Sequence, residues 1–152
     1  MLSKINKFLK TSGPDKIIFL EAYLMLGVMR AAILTISFKR LTSSLKHHQN
    51  QAPKILLSQK DMQKARSISK GIRRAAKRTP WESACLVQSL TAHRMLQKRN
   101  IPGVFYLGVG KDVTGKEAMK AHAWSQCEED IITGESGHEM YTVLSVFAWG
   151  KK

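Results

Sequence analysis

At 152 residues, 43% of them hydrophobic, the chain is long enough for one domain with a real core and too short for a second of ordinary size. Two cysteines, Cys85 and Cys127, make no disulfide framework and no C-x-x-C zinc pattern, so the chain reads as a cytoplasmic protein with no metal and no cofactor. Its formal charge of +14 lies in one half: residues 1–80 hold seventeen Lys and Arg against three Asp and Glu, and residues 81–152 hold eight of each. A lobe of that kind attracts an acidic peptide, an anionic membrane or nucleic acid, or simply keeps a helical surface solvated.

Gly13-Pro14-Asp15 is a turn that opens a long helix, with Asp15 suited to its first turn. Glu21 and Arg30 interrupt the apolar run from Ile17 to Phe38, and nine positions apart they fall on opposite sides of a helix. Each charge costs about 2.5–3.5 kcal/mol at a bilayer centre, so a span is disfavoured; a buried core helix is the first reading and a membrane-surface helix the second. Ser43, Ser44 and the stretch from His47 to Pro53 read as an irregular connector with both histidines on its surface. Lys60 to Arg78 reads as a second helix, with Met62, Ala65, Ile68 or Ser69, Ile72 and Ala76 along one face and basic residues around it. Nothing aromatic is interleaved with those charges, which weakens a nucleic-acid reading.

The third helix carries Cys85 and runs to about Arg99. Thr79 with Glu82 fits a capping box, Pro80 suits the first helical position, and Ser83 is a second possible cap. Asn100 ends this helix, and Pro102-Gly103 changes direction. Val104 to Val109 then reads as a strand, Lys111 to Lys116 as a loop, and Ala118 to Cys127 as a strand with His122, Trp124 and Gln126 on one face. Glu128 to Asp130 makes a turn, Ile131 to Thr133 a short return strand, and Tyr141 to Ala148 a last one. Helices followed by a mostly antiparallel sheet make an α+β domain over 1–152, with a basic helical lobe at 1–79 and a Cys helix plus sheet at 80–152.

A thiol at the positive end of a helix, faced by an imidazole on a strand, is the pattern of a cysteine nucleophile active at neutral pH. Cys85 and His122 supply it. A third group must hold the imidazole. With a turn centred on Glu128-Glu129, the residue opposite His122 is Glu135; a bulge or a shifted turn brings in Thr133 or Asp130 instead. The backbone N–H of Cys85 is the natural oxyanion donor, with Trp81 Nε1 or Gln88 as side-chain candidates. His93 lies two turns down the same helix, about 12 Å away, too far to be the base. His138 falls in a Gly-flanked loop. Cys127 adjoins an acidic turn, which raises a thiol pKa and makes a poor nucleophile.

Trp81-x-Ser83-x-Cys85-Leu86, the Leu90 to Leu96 stretch, Ile101-Pro102, Tyr106-Leu107-Gly108-Val109 and Ala121-His122-Ala123-Trp124 together resemble the leader peptidases of lasso peptide biosynthesis, which are transglutaminase-like cysteine peptidases. The resemblance reaches back to Ile36-Ser37-Phe38-Lys39-Arg40-Leu41 and covers most of residues 17–148. It implies a papain/transglutaminase-like core with Cys85 as nucleophile and His122 as base. The acid that follows the histidine is Glu135 or Asp130, because the spacing through Cys127-Glu128-Glu129-Asp130 departs by about one residue. The implied reaction removes the leader from a ribosomal precursor peptide and frees the amine that a separate lasso cyclase closes into a ring. Residues 1–80 read as helical throughout, leaving no room for a winged-helix recognition module, so a separate leader-recognition protein is expected. The basic lobe is expected to dock that partner and its leader, with weak membrane-surface contact and no specific nucleic acid. Two other functions fit the residues: acyl transfer to an amine by the same triad, and a basic non-catalytic adaptor on membrane or nucleic acid.

Overall fold

Short polar caps set where the first helices begin. In a computed structural model, which describes residues 12–48, 51–116 and 118–150, the Ser12 hydroxyl accepts from the Asp15 N–H and opens α1, Gly13–Thr35. A single turn, α2 (Phe38–Leu41), and a three-residue strand, β1 (Lys46–His48), follow. The Ser58 hydroxyl accepts from the Asp61 N–H at the start of α3, Gln59–Ala76. α4 covers Cys85–Gln97 and closes where Ile101 N–H reaches back to the Leu96 carbonyl, with Asn100 in the left-handed region at φ 56°. Four strands complete the chain: β2 (Gly103–Lys111), β3 (Met119–Cys127), β4 (Asp130–Thr133) and β5 (Thr142–Trp149), with a single 3-10 turn at His138–Met140 before the last.

The five strands form one sheet in the order β1-β5-β2-β3-β4, antiparallel throughout, and the fold is α+β. One face meets the helices: Phe105, Cys127, Ile132, Phe147 and Trp149 share a core with Leu26, Ile68, Ile72, Leu90, Met95 and Leu96. Phe105 and Phe147 stack at 4.9 Å within it, and the buried Trp149 Nε1 donates to the Ile101 carbonyl at 2.9 Å. The other face is covered in part by residues 51–58, whose Ala52 and Ile55 pack on Val104, Val146 and Ala148.

Two expectations change. Residues 1–80 are not helical throughout, because Lys46–His48 pairs with β5 and the His47 ring lies 5.0 Å from Phe147; the basic half thus contributes an edge strand where the sequence read as connector. Nor is α1 a buried core helix. Ala22, Leu26 and Met29 are its only buried residues, while Ile17, Leu20, Leu24, Val28 and Leu34 face outward. Both charges that interrupt its apolar run are tied to the rest of the domain: Glu21 to Arg99 at 2.5 Å and Lys98 at 3.2 Å, and Arg30 to Glu82 at 3.0 Å. The Arg99 hydrogen bond, against the cost of burial, holds the Glu21 carboxyl below its usual range.

Candidate active site

The turn that leads into α4 is fixed by side chains, but not as a capping box. The Thr79 hydroxyl sits 3.2 Å from the Ala76 carbonyl, 3.1 Å from the Trp81 carbonyl and 2.8 Å from Ser83 Oγ. Glu82, which a capping box would turn back on Thr79, pairs instead with Arg30 of α1. The helix starts later than either polar cap would start it: Cys85 is its first residue, and Ala84 occupies the cap with no side-chain hydrogen bond. No capping side chain therefore covers the first-turn N–H groups of α4 beside the half-buried Cys85, the arrangement in which backbone dipoles favour developing negative charge.

Of the side chains considered as oxyanion donors, Gln88 is engaged, its Nε2 donating to the Ser83 carbonyl at 2.7 Å and bracing the turn from inside the helix. The Trp81 indole is wedged against α1: Tyr23 meets it edge-on at 5.3 Å, and a Cβ on Gly27 would lie 3.0 Å from its ring. Its N–H is buried and has no hydrogen-bond partner among the described residues.

A buried hydroxyl chain joins α4 to the sheet. Ser89 Oγ lies 3.1 Å from Thr133 Oγ1, which lies 2.6 Å from Ser125 Oγ. Ser125 and Ala123 thus face α4, and strand alternation sends His122, Trp124 and Gln126 to the other side. There the His122 ring stacks on Tyr141 at 4.8 Å and lies 5.9 Å from Trp124, which stacks on Tyr106 at 5.1 Å. Gly108 faces His122 across the β2–β3 ladder; a Cβ there would meet Tyr141 Cβ at 2.9 Å, so its bare backbone makes room for the ring on the imidazole.

His122 Nε2 lies 2.7 Å from the Gly134 carbonyl oxygen. A carbonyl only accepts, so this nitrogen carries the proton and Nδ1 is left as the basic site of the neutral ring. The His122 ring stands on the face of β3 turned from α4 and no hydrogen bond joins it to Cys85 Sγ, so the structure does not bring thiol and imidazole together, and their pairing belongs to the proposal below.

Neither acid considered for the third role touches the imidazole. The Glu135 carboxylate is exposed and lies 3.6 Å from Arg73, and Asp130 is held by Arg66 at 2.5 Å. The turn at Glu128-Glu129 does pair Cys127 with Asp130 and Gln126 with Ile131, as the hairpin count requires; a bulge then sets Ser125 opposite Thr133, the last pair of the ladder. Sequence reasoning passed over Gly134 and Tyr141. A glycine directly after a strand, here at φ 76°, was the available signal for the first; nothing marked the second.

His93 and Cys127 are placed away from this chemistry. His93 is buried against Trp149 at 4.8 Å, and burial, then the Arg94 charge, pushes its pKa down to about 4. Burial, then Asp130 and Glu128, pushes the Cys127 thiol up to about 12, and its Sγ lies 3.5 Å from the Pro102 carbonyl. His138 lies nearer: its ring is 5.8 Å from Trp124, the neighbour of His122, and its Nδ1 is 2.8 Å from the Glu135 carbonyl. Among the described residues, no three His, Cys, Asp or Glu side chains come together as a metal site.

A helix that opens on a cysteine and packs on an antiparallel sheet bearing a histidine is the frame of an α+β cysteine-dependent enzyme. The chain belongs to the Transglutaminase-like superfamily, matching it over residues 25–146, and members of that superfamily are commonly cysteine-dependent enzymes. No curated protein and no solved structure matches the chain.

Proposed function

We propose that this protein is a cysteine peptidase that removes the leader from a lasso peptide precursor. The observation that carries the cysteine chemistry is the position of Cys85 as the first residue of α4 in a chain whose superfamily commonly holds cysteine-dependent enzymes. The choice of precursor rests on the resemblance of the Trp81–Leu86 and Ala121–Trp124 segments to the lasso leader peptidases.

In this reading His122 Nδ1 takes the Cys85 proton, and the thiolate adds to the scissile carbonyl carbon. The uncapped N–H groups of the first turn of α4 face the oxygen that gains charge. The imidazolium returns its proton to the leaving nitrogen, releasing the core peptide with a free N-terminal amine and leaving the leader as a thioester on Cys85. His122 Nδ1 then deprotonates a water that attacks the thioester and passes that proton to the departing thiolate, so the leader leaves as a carboxylic acid and the thiol is restored. The Gly134 carbonyl holds Nε2–H throughout and fixes the useful tautomer. Glu135 and Asp130, one and four residues from Gly134 in sequence, act at most through Arg73 and Arg66. A separate recognition protein delivers the leader, and a separate cyclase consumes the core.

Cys85→Ala and His122→Ala should each abolish cleavage of the precursor without loss of helical signal; processing by Cys85→Ala at the wild-type rate would eliminate the reading. Mass spectrometry of the products decides between water and amine as acceptor: two free peptides for hydrolysis, a mass-shifted adduct for acyl transfer.

A further inference from the structure

α1 is long and apolar enough to cross a membrane, yet 17% of its apolar stretch is buried in the domain. Ile17, Leu20, Leu24 and Val28 recur every three or four residues, and these four, with Leu34 off their row, are between 54% and 69% exposed. At 100° per residue the first four lie on one side of a helix about 35 Å long, opposite the buried Ala22, Leu26 and Met29. An exposed apolar stripe of about 17 Å on a folded domain marks a surface that something else covers.

Charge narrows what that is. Lys60 and Lys64 line one surface depression with Pro14, Ile17 and Ile18 at the start of the stripe. The exposed Lys39 and Arg40 follow its end, and the half-free Lys98 flanks it at Glu21, with 68% of its side chain exposed. The sequence before Ser12 adds Lys4, Lys7 and Lys10 and no acid. Of the acids along this side, Glu21 is neutralised by Arg99 and Lys98, and Asp15 is bonded to the Ser12 hydroxyl at 2.6 Å. A second copy of a chain carrying +14 would bring like charge to like. A bilayer span would pull Glu21 away from Arg99 and Arg30 away from Glu82, breaking the pairs that hold α1 to the domain.

We infer that α1 seats this protein on an anionic phospholipid surface, with its axis in the membrane plane, the leucine stripe in the acyl boundary and the lysines at the headgroup phosphates. The contact is peripheral and reversible, and it owes nothing to the thiol chemistry, so it stands or falls apart from the peptidase reading.

Co-sedimentation of the full chain tests it, with vesicles of phosphatidylcholine alone and with an equal part of phosphatidylglycerol. Binding is expected on the mixed vesicles, weak on the neutral ones, and falling as salt rises. Leu20→Gln with Leu24→Gln, and separately Lys60→Gln with Lys64→Gln, should each weaken it by about tenfold or more while circular dichroism stays that of the wild type. Failure to bind the mixed vesicles overturns the inference and leaves the stripe for a protein partner. So does binding undiminished in the leucine variant, which would be adsorption by charge alone, and so does protein that resists extraction by high salt and alkaline carbonate, which would be a span.

Discussion

His122 has one ring nitrogen committed to a backbone oxygen and one left basic, and the residue that imposes this has no side chain. A Cβ at Gly134 would lie 2.3 Å from the Ala123 carbonyl, and its backbone sits at φ 76°, so Gly134→Ala has to move the oxygen that holds Nε2. Misplacing a catalytic group by an ångström costs on the order of 10²-fold, and we expect a fall of about that size in kcat/KM for precursor cleavage. Glu135→Gln, which only loosens an exposed pair with Arg73, should cost far less; the reverse order in the two kinetic assays would return the third role to the acid. Alkylation checks the pairing of thiol and base, since catalytic hydrogen bonds are often long without substrate and tighten on binding. Near pH 6.5, iodoacetamide should modify Cys85 quickly in the wild type and more slowly in His122→Ala, with the buried Cys127 reacting only after unfolding; equal rates in the two proteins would mean that no ion pair forms in the free enzyme. Cys85 and His122 could be picked out from sequence because a thiol at a helix start and an imidazole on a strand carry their own signals. The Gly134 contact could not, because the β3–β4 ladder ends at Ser125 and Thr133 and no register count across it reaches His122.

β4 is only four residues long, yet hydroxyls from two helices hold it in place. Ser69 of α3 donates to the Ile132 carbonyl at 2.7 Å, and Ser89 of α4 reaches Ser125 through Thr133. Thr133→Val keeps the shape but strands two fully buried hydroxyls, a loss of about 1–3 kcal/mol, seen as a drop of roughly 2–10 °C in Tm by calorimetry. A second consequence comes from α4 itself. His93 is neutral in the folded protein down to about pH 4, whereas in the unfolded chain it takes a proton near 6.5. Its contribution is complete above the unfolded value and is lost as pH falls toward the folded one, because there the unfolded state binds the extra proton. Unfolding free energy should decline by about 3 kcal/mol between those pH values, and His93→Phe should flatten that segment in denaturant titrations. Periodicity and end signals made the three long helices and four of the strands readable within a few residues. The hydroxyl links escaped because Ser and Thr on an apolar face look like ordinary small core residues, and β1 escaped because three residues carry no alternation to count.

At the scale of the molecule, charge is segregated by sequence but not by fold. The basic half supplies β1 to the sheet as well as α1 and α3 to the core, so any steering by its lysines acts on the same rigid body that carries Cys85 and His122. Reversing Lys70, Arg74 and Lys77 to Glu on and just after α3 should slow precursor capture by up to about tenfold and flatten its salt dependence, with the chemical step unchanged. Stopped-flow association across a salt series measures both, and wild-type behaviour would make these residues a solvated surface. The α+β class followed from element order alone. Strand order did not, since nothing local records that the last strand enters the middle of the sheet.

That insertion governs when the fold can exist. β5 lies between β1 and β2, joining strands whose partners are about a hundred and about forty residues away along the chain. Until β5 arrives, β2 has an open edge, the far-face cluster lacks Val146 and Ala148, and Tyr141 has no fixed place beside His122. The hairpin of β2 with β3 can form early from neighbouring sequence, but closure of the sheet must wait for a distant segment, and contacts of that span are the slow ones in folding. The imidazole should therefore acquire its stacked, tautomer-fixed setting in the last folding step, so that a nascent or partly folded chain carries the thiol before His122 is set in place.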